Sequence, residues 1–227
     1  MTERIFFVTG TDTGVGKTVF AAAFTRYLRQ QSLRVAALKP ICSGGRGDAR
    51  RLSTAAGSVL ALDEVNPWHF RAPLAPLLAA RMEGKRVRLA RVVAHVRAVK
   101  EKFSPVVIEG AGGLLSPLGE DFNSRDLIAA LRATPIIVCP NRLGAVNQIL
   151  LNLEALPAAI ARRAQFVLVN PPRVDRAAHT NAVLLEELAG GNQVHVLEWL
   201  GKNPFTVAAA RRAGVLRRLG RLWRICL

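Results

Sequence analysis

The chain has 227 residues, half of them hydrophobic, which is enough for a full core in one large domain or two small ones and too apolar for a disordered segment. Lys and Arg number 32 against 16 Asp and Glu, a formal net charge of +16. No window offers the roughly 18 consecutive apolar residues of a membrane span, and the apolar run 5–8 is too short for a signal peptide, so a cytoplasmic protein is expected. The excess cations, mostly arginine, lie scattered along helical patterns at Arg26, Arg29, Arg34, Arg81, Arg86, Arg88, Arg91 and Arg97, without interleaved aromatics. They read as a solvated surface, and neither nucleic acid nor membrane is expected as a partner. Cys42, Cys139 and Cys226 are widely spaced with no C-x-x-C pair, and His69, His95, His179 and His195 form no cluster; all seven read as structural, the cysteines as reduced and non-ligating.

In chain order, short apolar runs at Ile5 to Val8, Val35 to Leu38, Val106 to Ile108, Ile136 to Cys139, Phe166 to Val169 and Val194 to Leu197 read as strands. They are β-branched and continuous instead of alternating, the pattern of strands buried on both faces of a mainly parallel sheet. Helices are predicted at 17–31, 48–56, 72–82, 88–101, 123–132, 145–161, 176–189 and 204–219. Strands alternating with helices imply an α/β doubly wound fold with a mainly parallel sheet flanked by helices, and the 227 residues read as a single domain. The segment 211–227 carries six arginines and no acid, with Val215, Leu216, Leu219, Leu222 and Trp223 at helical spacing. A basic helix over about 204–227, packed on the domain by its apolar face, is expected.

In such a sheet ligands bind beyond the carboxyl ends of the strands, so the residues after each run are the candidates. After the first run comes Gly10-Thr11-Asp12-Thr13-Gly14-Val15-Gly16-Lys17-Thr18, followed by the helical Val19. Glycines let successive N–H groups turn inward, and a helix N-terminus favours an anion. Lys17 is placed for outer phosphates and the Thr18 hydroxyl for Mg2+. The strict motif G-x-x-x-x-G-K-[ST] needs glycine at 11, where the chain has Thr11; Gly10 leaves five intervening residues. After the second run stand Lys39 and Pro40. Lys39 reads either as drawn toward an anion in the crevice or as a lysine snorkelling from a strand end. Asp48 opens the next helix, as its N-cap or as a second Mg2+ ligand. Glu109 ends the third run, and Gly110, Ala111, Gly112 and Gly113 allow close backbone approach. A carboxylate there suits Mg2+, which takes one or two carboxylates with waters and phosphates. Asn170 follows the fifth run, as a reader of a purine edge or as a turn residue before Pro171.

Taken together, Gly10 to Thr18, Lys39-Pro40 with Ser43-Gly44, Asp48, Asn66-Pro67, Glu109 to Gly113, Leu143-Gly144 with Asn147, and Asn170 resemble the dethiobiotin synthetases in order and spacing, over about residues 4–175. The phosphate loop with Thr11 is that family's own form. The resemblance implies an ATP- and Mg2+-dependent closure of a ureido ring on 7,8-diaminononanoate, with CO2 or bicarbonate, through a carbamate and its mixed anhydride with phosphate. It implies Lys17 on the β- and γ-phosphates, Mg2+ on Thr18, Asp48 and Glu109, Lys39 on the carbamate and transferring phosphoryl group, and Thr13 and Ser43 on the oxygens of carbamate and phosphate. Nucleotide binding falls to Gly14, Val15, Gly16, Lys17, Thr18, Val19, Glu109, Gly110, Ala111, Gly112 and Asn170. A homodimer is implied, with Gly144 and Asn147 of the second protomer at the substrate carboxylate. Ala72, Ala75, Leu77 and Arg142 depart from the expected pattern. The competing reading is a partitioning-type switch ATPase that binds DNA or membrane through its basic surface; Thr13, in place of an early lysine in the loop, argues against it.

Overall fold

The computed structural model describes residues 4–190, 193–200, 220, 222 and 223. Among them, six strands form one parallel sheet: β1 (Ile5–Gly10), β2 (Ala36–Leu38), β5 (Val106–Glu109), β6 (Thr134–Pro140), β7 (Gln165–Val169) and β8 (Gln193–Leu197). Their spatial order is β2-β5-β1-β6-β7-β8, every neighbouring pair parallel. The order reverses direction around β1, so the crevice beyond its carboxyl end is where such a sheet receives a ligand. All six predicted strands are present.

The period of two along each strand divides the core. Phe7, Leu38, Ile108 and Ile137 belong to one apolar cluster, and their chain neighbours Phe6, Val8, Ala37, Val107 and Ile136 to the other. The second face is covered by α1 (Lys17–Gln30), through Phe20, Phe24 and Leu28, and by α2 (Gly47–Ala56), through Leu52 and Ala55. The first is covered by α5 (Leu89–Lys100) through Val92 and Val96, α6 (Ser124–Leu131) through Leu127, α7 (Ala145–Ala155) through Ile149, and α9 (Arg176–Leu188) through Leu185. Both faces therefore exclude water, as continuous apolar strands require.

Two predicted helices differ, and three short elements were not predicted. The helix expected at 72–82 begins only at α4 (Pro76–Met82), because Pro73 and Pro76 hold the preceding residues extended. The helix expected at 145–161 is two pieces, α7 and α8 (Ala158–Ala161), since Pro157 lacks the N–H that continuation needs and Leu156 is extended. A second, two-stranded parallel sheet of β3 (Ile41–Ser43) and β4 (Trp68–Phe70) was not predicted, nor was α3 (Leu62–Val65). The helix predicted at 204–219 lies outside the described residues. Just beyond it, Leu222 is buried in the second cluster and the Trp223 ring stands 6.0 Å from Phe6, beneath the Arg4 guanidinium. Cys42 and Cys139 are buried free thiols. No helix among the described residues is long and apolar enough to cross a membrane.

Candidate active site

Most of the polar candidates at the carboxyl edge line two adjoining cavities. The larger, about 780 Å³, is lined by Thr13, Gly14, Gly16, Lys17, Thr18, Val19, Lys39, Ser43, Asp48, Glu109, Ala111 and Gly112, along with Cys42, Arg51 and the apolar strip 73–76. The smaller, about 360 Å³, shares Gly14, Gly16 and Val19 with it and adds Val15, Asn170, Pro171, Glu198 and Trp199. A triphosphate-sized polar trough thus runs into an apolar slot across the start of α1.

The phosphate loop forms as its glycines require. Gly14 and Gly16 have φ of +75° and +99°, a left-handed backbone that disfavours any side chain, and Gly16 is the N-cap of α1, whose N-terminus has no side-chain cap. Lys17 is only 6% exposed and donates from Nζ to the Asp12 carbonyl at 2.6 Å. Burial pushes its pKa down to about 8, and repulsion from Lys39 adds to the shift. A buried, poorly compensated ammonium is primed for an anion.

Sheet register brings the other groups to it. Val8 lies beside Glu109 and Leu38 beside Ile108, so the ends of β2 and β5 flank the loop. The Glu109 Oε1 accepts from the Lys39 ammonium at 2.6 Å and from the Thr18 hydroxyl at 2.9 Å. Lys39 also donates to the Gly110 carbonyl at 2.9 Å and stands 3.7 Å from Asp48 Oδ2. The snorkelling alternative for Lys39 is therefore removed: the side chain is 4% exposed and turned inward. Asp48 sits in the first turn of α2 and does not cap it; Arg46 holds the N-cap position, and Asp48 Oδ1 accepts from Arg51 at 3.3 Å. Ser43 Oγ donates to the Leu74 carbonyl, tying β3 to the apolar strip.

Mg2+ fits these donors. Thr18, Asp48 and Glu109 offer only oxygens, and Glu109 Oε2 is buried with no hydrogen-bond partner, an acceptor that a hard cation would satisfy. Among the described residues no three His, Cys, Asp or Glu side chains form a cluster.

Some predicted residues stand apart. Gly110 does not line the large cavity; its role is close packing, for a Cβ there would lie 2.9 Å from Phe7 Cε1. Gly144, at φ +89°, caps α7 and Asn147 follows in its first turn; both are exposed and neither lines the cavities of their own chain. Of the departures, Ala75 lines the large cavity and Arg142 the small one, while Ala72 and Leu77 line neither.

Sequence reasoning gave no role to three groups. Asn66 Nδ2 donates to the Lys39 carbonyl at 2.7 Å, while its Oδ1 accepts from the Cys42 thiol and from Arg46, so it fixes the Lys39-Pro40 turn. Burial raises the Cys42 pKa, so the thiol stays protonated and donates. Arg51, at i+3 from Asp48, brings a further cation to the cavity rim. Asn141 and Asn181, both buried, hold Asn170: Asn141 Nδ2 donates to Asn170 Oδ1 at 2.7 Å and Asn181 Nδ2 to Asn141 Oδ1 at 2.9 Å. The only local signal for the last group was a strand-end position at 141.

Comparison with known proteins follows this geometry. A family model described as an AAA domain matches residues 4–222. The ATP-dependent dethiobiotin synthetase BioD of Anaeromyxobacter dehalogenans (strain 2CP-C) is 42% identical over 201 residues, 86% of this chain and 90% of that protein. The protein of the same name from Bacillus subtilis (strain 168) is 36% identical over 197 residues, 82% of this chain and 84% of the other. Among solved structures, the MinC:MinD cell division protein complex of Aquifex aeolicus superposes with a TM-score of 0.61, covering 97% of this chain and 96% of that one. Its identity of 11% carries the fold and nothing more. With a phosphate loop at the switch point of a parallel sheet, and relatives this similar along most of their length, the chain belongs to the ATP-dependent dethiobiotin synthetase family of P-loop proteins.

Proposed function

We propose that this chain is a dethiobiotin synthase of biotin biosynthesis, a single-domain cytoplasmic enzyme that works as a homodimer with ATP and Mg2+. The observation that carries the reading is the inward-turned Lys39, held by Glu109 within the same cavity as Lys17 and Thr18. A hydrolase needs a positioned water; a carbamate kinase needs a second cation beside the phosphate loop. Lys39 is that cation.

In the reaction, one amine of 7,8-diaminononanoate adds to CO2 and loses a proton to give a carbamate. A carbamate oxygen attacks the γ-phosphorus and ADP leaves. The second amine then attacks the carbonyl carbon of the mixed anhydride, expelling phosphate and closing the ureido ring. The difficulty is charge, since an anion must meet a polyanion; each unit-charge repulsion at 4 Å is about 4 kcal/mol at an effective dielectric near 20. Lys17 cancels charge on the β- and γ-phosphates and Lys39 on the carbamate and transferring phosphoryl group. Thr13 and Ser43 donate hydrogen bonds to the carbamate and phosphate oxygens. Thr18, Asp48 and Glu109 would hold Mg2+, which when bound neutralises phosphate charge. The backbone N–H groups of the loop and the α1 N-terminus orient the triphosphate, and no general base is required, because the substrate amines are the nucleophiles.

The apolar strip Pro73, Leu74, Ala75 and Pro76 suits the aliphatic chain of the diamine. The departure at Ala75 leaves that wall with little to offer a charged terminus. The carboxylate end then falls to Gly144 and Asn147 of the second protomer, at the N-terminal turn of α7. Their exposure, beside Leu143 at 84% and Leu151 at 61%, supports a copy docking there. Purified protein with ATP, Mg2+, bicarbonate and diaminononanoate is expected to release one phosphate per dethiobiotin formed. Phosphate release indifferent to the diamine, or stimulated by DNA or lipid vesicles instead, overturns the reading.

A further inference from the structure

Arg46 lines neither cavity, yet its bonds reach both of the elements that bring Lys39 and Asp48 together. Its side chain is 19% exposed and its guanidinium closes over the short helix α3. Nη2 donates to the Leu62 carbonyl at 2.9 Å and to the Asn66 carbonyl at 3.1 Å, and Nη1 pairs with Asp63 Oδ1 at 2.8 Å. Nε donates to the Asn66 side-chain oxygen at 3.1 Å. Asn66 is the C-cap of α3 and is 1% exposed. Since Arg46 Nε and the Cys42 thiol both donate to its Oδ1, the amide must turn Nδ2 the other way, to the Lys39 carbonyl at 2.7 Å. The Lys39 N–H in turn donates to the Val65 carbonyl at 2.9 Å. Both main-chain groups of Lys39 are therefore bonded to residues 65–66, the segment that Arg46 clamps.

The same residue has a second hold on the site. Arg46 is the N-cap of α2, and its carbonyl accepts from the Arg50 N–H at 3.1 Å, so its own main chain starts the helix that carries Asp48. Side chain and backbone of one residue thus join the anchor of Lys39 to the first turn that bears Asp48, and the two charges meet 3.7 Å apart. A slip of α2 against α3 would change that spacing without moving the phosphate loop, which is built between β1 and α1. We propose that Arg46 is a positioning residue for phosphoryl transfer, locking α2 to α3 and so setting the Lys39 ammonium against the Asp48 carboxylate. Arginine suits the task because its planar fork serves several acceptors in fixed directions, which a lysine ammonium does not reproduce. The inference rests on the proposed roles of Lys39 at the transferring phosphoryl group and of Asp48 at Mg2+.

The test compares Arg46→Met and Arg46→Lys with Lys39→Ala, Asp48→Asn and wild type. The readouts are kcat and KM for ATP in diamine-dependent phosphate release, and calorimetric binding of a non-hydrolysable ATP analogue with and without Mg2+. Misplacement by 1 Å costs up to about a hundredfold in rate, so kcat in Arg46→Met is expected to fall by about ten- to a hundredfold. KM for ATP and metal-free affinity for the analogue stay at wild-type values, while the affinity gained on adding Mg2+ shrinks, as in Asp48→Asn. Arg46→Lys lies between, and Asp63→Asn, at a partner that is 88% exposed, behaves as wild type. Should Arg46→Met fail to fold, the same split between kcat and metal-free binding is read in Arg46→Lys. A wild-type kcat in the Arg46 variants, or a loss shared equally with metal-free binding, overturns the role of Arg46. Normal turnover in Lys39→Ala and Asp48→Asn overturns the underlying reading of the site instead.

Discussion

Lys17 should cost the free protein stability, and replacing it by methionine should reveal how much. Its pKa in the folded chain is about 8 against an ordinary 10.5, with burial as the main cause. At 1.36 kcal/mol per pH unit the gap is worth about 3 kcal/mol at neutral pH. Lys17→Met gives up a hydrogen bond to the Asp12 carbonyl, worth about 1 kcal/mol, and leaves about 2 kcal/mol of net stabilisation. For a chain of this size that raises Tm by about 4–8 °C. The sign follows from the depressed pKa: above 10.5 the neutral amine sits in the core without penalty, and that advantage is lost as pH falls through about 8. The melting difference between variant and wild type is therefore largest below pH 8 and narrows between 8 and 10.5. Saturating ATP should invert the order at neutral pH, since a ligand at 100 times its Kd stabilises wild type by about 2.7 kcal/mol and the variant has lost its phosphate contact. Calorimetric melts at pH 7, 8.5 and 10, with and without ATP, provide the check. A variant that melts at or below wild type at pH 7 without ATP, or a difference that does not change with pH, refutes the reasoning.

Two further outcomes bear on other parts of the site. Lys39→Ala strands Glu109 in the core and should lower stability by about 3–5 kcal/mol, while abolishing phosphoryl transfer and leaving ATP affinity within a few fold; single-turnover phosphate release beside calorimetric binding measures both, and normal turnover refutes the role given to Lys39. Asn141→Ala leaves Asn170, Asn181 and the Ala178 carbonyl short of partners and should cost about 3 kcal/mol, lowering Tm by about 6–12 °C; a fall below 2 °C would show that the amide chain relaxes at little expense.

The parts of the site that were legible in the sequence are those whose cause is local. Gly14 and Gly16 with Lys17 and Thr18 identify a phosphate loop because turn, anion cradle and helix start occupy consecutive residues. Lys39 and Glu109 were legible as strand-end residues, since each closes a short apolar run. Their bond to each other was not, because it depends on β2 and β5 lying side by side, a pairing between segments some seventy residues apart in number. The asparagine chain was hidden for the same reason: 141, 170 and 181 meet only when β6, β7 and α9 have packed. The small sheet of β3 and β4 escaped because three residues per strand give no period to detect, and Pro40 and Pro67 beside them suggest loop. The overlong helix predictions at 72–82 and 145–161 weighed apolar spacing above Pro73, Pro76 and Pro157, and the prolines prevailed.

The buried pair of Lys39 and Glu109 argues for chemistry more strongly than for stability. Both groups are almost fully enclosed, at 4% and 1% exposure, and taking two ions out of water costs about as much as their attraction returns. Well-packed apolar residues would hold the ends of β2 and β5 together as firmly. The Glu109 carboxylate also leaves one oxygen buried and unpartnered, a further cost. Lys17, close enough to Lys39 for the two charges to repel, adds a third unfavourable element to the same cavity. Strain of this kind, concentrated in one cavity, would be relieved by anionic oxygens between the lysines and by a cation at Glu109. The binding of a phosphorylated nucleotide thus completes an electrostatic arrangement that folding alone leaves unfinished, and the stability forgone in the free protein becomes part of the affinity for the charges that the reaction brings together.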